Sequence, residues 1–245
     1  MKFNVLTLFP EMFESILGTS MLAKAKEQEL LSVDLIDIRD YTQNKHRQVD
    51  DYPYGGGAGM LLKPEPIFRA VDDLDYSKQT PIIFLTPQGE TFNQAKAKEL
   101  ANYEELTLLC GHYEGVDQRV REELITDEIS IGDYVLTGGE LPAMVLIDAV
   151  ARLIPGVLGS QESAVEDSFY QGLLDYPHYT RPRDYKGLEV PQVLLSGDHG
   201  RIEQWRRKKA LENTLHKRPD LLKQADLSEQ DQKLLAEIKQ ELEEE

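Results

Sequence analysis

Five short apolar runs, Phe3 to Phe9, Val33 to Ile38, Ile82 to Leu85, Leu106 to Cys110 and Ile129 to Ile131, recur along the N-terminal part of the chain. Several are continuous and not alternating, the habit of strands covered on both faces, and the stretches between them have room for helices. An α/β fold built on a mostly parallel sheet is therefore expected. Leu141 to Ile154 reads as the best internal helix, ending at Pro155-Gly156, where the chain cannot continue helically. From Gly159 to Gln171 the chain is polar and aperiodic, the signature of a flexible linker. Beyond it, His199 to Leu215 carries Ile202, Trp205, Leu211 and Leu215 among many cations. Ser228-x-x-Asp231 resembles a capping box that opens a last helix with Leu234, Ile238 and Leu242 on one face. The expected organisation is an α/β domain over 1–158, a linker over 159–171 and a small helical domain over 172–245.

Charge is unevenly spread over this plan. The net charge of −17 argues at first sight against a nucleic-acid partner. Residues 1–177 hold 14 Lys/Arg against 30 Asp/Glu and residues 219–245 hold 3 against 9, whereas residues 178–218 hold 10 against 5. Within that basic block Arg206-Arg207-Lys208-Lys209 sweeps most of a helical circumference, with Arg181, Arg183, Lys186 and Arg201 nearby, which suits either a solvated face or a phosphate-contacting patch. One cysteine, Cys110, excludes a disulfide framework or a multi-Cys zinc site and reads as inert core. The N-terminus lacks a basic segment followed by a long apolar one, and Leu141 to Leu158 is interrupted by Asp148, Arg152 and Pro155, so neither a signal peptide nor a membrane span is expected. A cytoplasmic location follows as an expectation.

Three polar, glycine-bearing loops follow putative strands: Thr86-Pro87-Gln88-Gly89-Glu90, Gly111-His112-Tyr113-Glu114-Gly115, and Ile131 to Gly138. In open α/β sheets ligands collect outside the carboxyl ends of strands. A second glycine cluster, Gly55-Gly56-Gly57-Ala58-Gly59, follows Pro53-Tyr54. Neither cluster fits G-x-G-x-x-G or a P-loop, which disfavours a dinucleotide oxidoreductase or a nucleoside triphosphatase.

The chain is similar to the bacterial tRNA (guanine-N1)-methyltransferases of the SPOUT, or trefoil-knot, class. The resemblance is carried by Leu8-Phe9-Pro10-Glu11-Met12-Phe13, Asp50-Asp51-Tyr52-Pro53-Tyr54-Gly55-Gly56-Gly57, Thr86-Pro87-Gln88-Gly89, Cys110 to Asp117, Ser130 to Ala143, Asp175 to Pro182, and Ser196-Gly197-Asp198-His199 leading into Trp205-Arg206. Thr86 stands where the family pattern has serine. The resemblance implies a knotted SPOUT fold and S-adenosylmethionine as methyl donor. It also implies methylation of N1 of the guanosine immediately 3′ of the tRNA anticodon, and a homodimer with its active site between subunits. Magnesium enters by the same route, with Glu114 as a lone carboxylate near the donor and no site legible for the ion.

By the same match, donor contacts fall on Leu85, Thr86, Gly111, Tyr113, Glu114, Ile131, Gly132, Asp133, Tyr134, Val135, Leu136, Gly138 and Pro142. Backbone groups of the three loops can hydrogen-bond adenine and ribose while the aliphatic residues supply apolar walls. Asp167 is the candidate general base, because guanine N1 carries a proton and is a poor nucleophile until that proton is accepted. Arg152 is placed to meet negative charge developing on the guanine O6. Arg181, Arg183, His199, Arg201, Arg206, Arg207, Lys208 and Lys209 are expected to contact tRNA. His112 and His178 are assigned to packing or RNA contact. A non-catalytic RNA-binding dimer that keeps the donor pocket is the alternative reading, and the presence of both Arg152 and Asp167 argues against it.

Overall fold

The structure, a computed structural model, describes residues 1–74, 80–159 and 167–244. The chain divides into two compact units, Met1–Gln161 and Glu162–Glu245. The boundary falls inside the expected 159–171 linker, of which residues 160–166 lie outside the described residues. Among its remaining residues, the Tyr170 amide donates to the Asp167 carbonyl at 3.2 Å and the Phe169 amide to the Leu173 carbonyl at 2.7 Å, so 167–171 form a hydrogen-bonded turn of the second unit.

In the first unit β1 (Lys2–Thr7), α1 (Glu14–Leu17), α2 (Ser20–Glu27) and β2 (Ser32–Asp37) are followed by a two-stranded antiparallel ribbon, β3 (Asp50–Asp51) and β4 (Leu61–Leu62). Then come α3 (Pro64–Asp72), β5 (Ile82–Thr91), α4 (Gln94–Leu100), β6 (Glu105–Cys110), α5 (Gln118–Glu123), β7 (Asp127–Ser130) and α6 (Glu140–Ala151). The five apolar runs become one sheet in the order β2-β1-β6-β5-β7, every pair parallel. Alternation sends Phe3, Val5, Ile83, Leu85, Leu106 and Leu108 to a core shared with α1, α2, α4 and α6, and Leu6, Ile82, Phe84 and Leu109 to a second core shared with α3 and α5. Coverage on both faces is why the strands read as unbroken apolar runs.

The second unit is not wholly helical. A short hairpin, β8 (Asp184–Tyr185) and β9 (Leu188–Glu189), precedes α7 (His199–Lys217) and α8 (Glu229–Glu244). Its two-residue turn, Lys186-Gly187, takes positive φ at both positions (57° and 80°), the twist that suits a tight hairpin. The core is small: Leu173, Leu211 and Ile238 are buried, with Leu215, Leu222, Ala225, Leu227 and Leu234 packed around them. Leu242, expected on the buried face of the last helix, is exposed because the packed segments do not extend to that final turn. The capping box at its start forms as read, with the Ser228 hydroxyl accepting from the Asp231 amide at 3.1 Å and the Asp231 carboxylate accepting from the Ser228 amide at 3.0 Å. No helix among the described residues is long and apolar enough to cross a membrane.

Candidate functional site

The first loop is not the simple strand end that its composition suggests. Leu85 and Glu90 both pair with Ile129, so Thr86 to Gly89 is extruded as a bulge from β5, and pairing with β7 resumes at Glu90 and Thr91. Gly89 lies so close to β7 that a Cβ there would stand 2.3 Å from the Glu128 carbonyl carbon, which excludes any other residue without movement of backbone. The second loop turns sharply after β6. Tyr113 adopts φ 58° and Gly115 φ 127°, and the Gly115 amide donates to the His112 carbonyl at 3.0 Å. The other glycine cluster supports it from outside: the Glu114 amide donates to the Met60 carbonyl at 3.1 Å, and Gly59 presses on the Glu114 side chain.

The third loop runs from β7 to α6 and closes back on the second. The Gly139 amide donates to the Gly111 carbonyl at 2.8 Å, and His112 and Gly138 form an antiparallel bridge. A Cβ on Gly139 would meet the Cys110 Cα at 2.7 Å, so α6 starts directly against the end of β6. Gly132, at φ 145°, is covered by the Tyr134 ring, and the Tyr134 hydroxyl donates to the Ile131 carbonyl at 3.2 Å. Beneath the loops Glu140 is buried and accepts from the Thr7 hydroxyl at 2.8 Å. Cys110 is fully buried, and that burial pushes its thiol well above its ordinary pKa, consistent with inert core.

Together the three loops enclose a cavity of about 320 Å³. Leu85, Thr86, Gly111, Tyr113, Glu114, Ile131, Gly132, Tyr134, Val135, Leu136, Gly138 and Pro142 all line it. Asp133, expected among them, is exposed and lies outside the lining. Phe84, Gln88 and Ser130 line the cavity without having been expected there. Phe84 belongs to a strand-core run and Gln88 to a loop of ordinary turn composition, so neither carried a distinguishing signal. Among the described residues no group of three or more His, Cys, Asp or Glu side chains is gathered to hold a metal ion.

Arg152 is half-buried at the C-cap of α6 in the first unit, and its amide donates to the Asp148 carbonyl at 3.2 Å. Asp167 belongs to the second unit, where it lines a cavity of about 500 Å³ together with Tyr176, His199, Arg206 and Arg207. The Arg206 guanidinium stands 4.9 Å from the Tyr176 ring centre, and His178 Nε2 lies 2.7 Å from the Asp175 carboxylate.

The basic run on α7 is largely answered within its own unit. Arg207 grips Asp231 through two hydrogen bonds, at 2.7 and 2.9 Å, and holds Gln171 at 3.2 Å. The guanidinium holds the Asp231 carboxyl down at about 2, with help from Ser228. Lys208 pairs with Glu241 at 2.7 Å and Lys209 with Glu212 at 2.6 Å. By contrast Arg181, Arg183, Lys186 and Arg201 are exposed and make no ion pair with a carboxylate among the described residues. Three of them flank or form the hairpin, whose Tyr185 is 59 % and Leu188 75 % exposed.

A parallel sheet with one cavity made by three loops beyond the carboxyl ends of its strands defines an α/β protein built to hold a small ligand at that edge. Residues 1–224 match the tRNA (guanine-1)-methyltransferase TrmD family. A tRNA (guanine-N(1)-)-methyltransferase of Moorella thermoacetica is 61 % identical over 241 residues, covering 97 % of this chain and 96 % of the relative. Its counterpart in Bacillus subtilis is 58 % identical over 243 residues, covering 98 % of this chain and all of the relative. The chain belongs to this methyltransferase family.

Proposed function

We propose that the protein transfers a methyl group from S-adenosylmethionine to N1 of the tRNA guanosine immediately 3′ of the anticodon. The observation that carries this reading is the cavity formed by the three loops, which gathers twelve of the thirteen expected donor-contact residues in a chain of this family. Its size and its mix of backbone edges, apolar walls and aromatic rims suit a nucleoside-type ligand. When bound, S-adenosylmethionine supplies an electrophilic methyl group on a sulfonium sulfur.

The chain's own residues do the rest. Asp167 accepts the N1 proton as the new N–C bond forms, and Arg152 offsets the charge that gathers on O6. The guanidinium share supports the proton transfer, because positive charge beside O6 lowers the basicity that N1 deprotonation demands. The two groups sit in separate units, and the homodimer implied by the resemblance has its active site between subunits. Two exposed apolar side chains one turn apart on α6 support that assembly, since Leu141 and Val145 are 49 % and 47 % exposed. The return of residues 132–139 from edge strand β7 to Gly111 at the end of β6 supports the knotted path of the SPOUT class.

Transfer RNA is held by the second unit through its cations. Arg181, Arg183, Lys186 and Arg201 lead, because phosphate reaches them without displacing a carboxylate, and Arg206 adds its charge beside the second cavity. Arg207, Lys208 and Lys209 contribute more weakly, since each contact competes with an existing ion pair. The deciding experiment follows label from S-adenosylmethionine into tRNA transcripts that carry guanosine or adenosine at the target position. Incorporation confined to the guanosine transcript is expected; donor binding with no incorporation into either would favour the non-catalytic RNA-binding dimer.

A further inference from the structure

Within the extruded loop Thr86 to Gly89 the Gln88 amide reaches the Thr86 hydroxyl at a long 3.4 Å. A side-chain hold on the loop comes from α5. Arg121 donates from Nη2 to the Gln88 side-chain carbonyl at 2.8 Å, and the same guanidinium is anchored on β7 by Glu128, with Nε to Oε1 at 2.7 Å and Nη2 to Oε2 at 2.8 Å. Its carbon centre lies 5.8 Å from the ring centre of Phe84, whose edge in turn packs under Gly111 of the second loop. One half-buried side chain therefore touches the first loop, the edge strand that the loop is extruded against, and the aromatic floor beneath the second loop.

We infer that Arg121 is a positioning residue for the methyl donor: through Gln88 it holds the Thr86–Gly89 bulge in the shape that completes the cavity, while Glu128 fixes the guanidinium. This rests on the donor-site reading above. The planar fork matters, because a carboxylate and an amide oxygen are met from one rigid group at two angles, which a lysine ammonium on a flexible stem does not reproduce. The Gly89 contact with the Glu128 backbone sets how close the loop lies to β7, and Arg121 sets where its tip points.

The test is a double-mutant cycle on the full-length protein, with S-adenosylhomocysteine as the probe in calorimetric titration. Arg121→Met and Gln88→Met are each expected to weaken binding about fivefold, and the double variant no more than the weaker-binding single, because the two side chains act through one contact. Arg121→Lys is expected to behave like Arg121→Met. In steady-state methyl transfer Arg121→Met raises the donor KM and leaves kcat at saturating donor within about twofold, whereas a general loss of folded protein would lower kcat at unchanged KM. Gln88 is exposed, so its substitution tests the contact without risk to the core. Independent, additive effects of the two substitutions, or wild-type affinity in Gln88→Met, would overturn the positioning role while the donor site stands. Failure of the wild-type protein to bind the probe at all would overturn both.

Discussion

The two units of the chain solve the same stability problem by different means. The first buries two apolar layers, one on each face of a five-stranded sheet, and its candidate site is held by close backbone approaches at Gly89 and Gly139. Among its described residues the second buries only four apolar side chains, Leu173, Ala210, Leu211 and Ile238, and braces them with polar contacts. Arg207 joins α7 to the capping box of α8, and the Thr214 hydroxyl accepts from the Leu174 amide at 2.9 Å while donating to the Ala210 carbonyl at 2.7 Å. A rigid apolar frame suits a pocket that must recognise a small molecule. A polar, cation-rich frame suits the phosphate-contacting surface proposed for it, and it is the more vulnerable of the two to pH and to single charge changes.

The largest expected effect is on chemistry. Asp167→Ala and Arg152→Ala should each slow single-turnover methyl transfer by roughly two to four orders of magnitude, with donor binding retained. Near-normal turnover in Asp167→Ala would remove the base assignment.

Next comes the bracing of the second unit. Asp231→Asn leaves the Arg207 guanidinium with a weaker partner and should cost about 2 kcal/mol in thermal or denaturant unfolding of that unit, with binding in the first unit unaffected. The pH dependence has a definite sign. The folded Asp231 carboxyl sits near 2, below its value of about 4 in an unfolded chain. Its contribution is therefore complete above about pH 4 and lost as pH falls from there toward 2, and Asp231→Asn should flatten that part of the stability profile. A profile unchanged by the substitution would sever the link between the ion pair and the unit's stability.

The basic block itself can be dissected. Arg183→Ala with Lys186→Ala should reduce the slope of log affinity for tRNA against log salt by about 1 to 2, whereas Lys208→Ala with Lys209→Ala should change it less. The reverse ranking would show that the α7 ion pairs open readily in the complex and that pairing in the free protein is no guide to contact.

The sheet was legible because both of its faces are covered, so Phe3 to Phe9 and Leu106 to Cys110 appear as apolar runs whatever the tertiary detail. Ser228 and Asp231 were legible because a capping box is local. The bulge at Thr86 to Gly89 was not, since its composition is that of any loop and only the resumption of pairing between Glu90 and Ile129 reveals it. Nor was the neutralisation of the basic run: Arg207 and Asp231 are 24 residues apart and Lys208 and Glu241 are 33 apart, and no periodicity announces such partners. The three loops, Gln88 among them, were visible as glycine-bearing strand ends, but the place of Phe84 in the lining and the contact of Arg121 with Gln88 arise only between elements.

The division of labour between the units is tested most directly by measuring two affinities on one variant. Arg181, Arg183 and Lys186 are replaced together by alanine in the full-length protein, and S-adenosylhomocysteine and tRNA are titrated separately at fixed salt. Donor affinity is expected to stay within about twofold of wild type and tRNA affinity to fall tenfold or more. Unchanged tRNA affinity, or an equal loss for both ligands, would contradict that division.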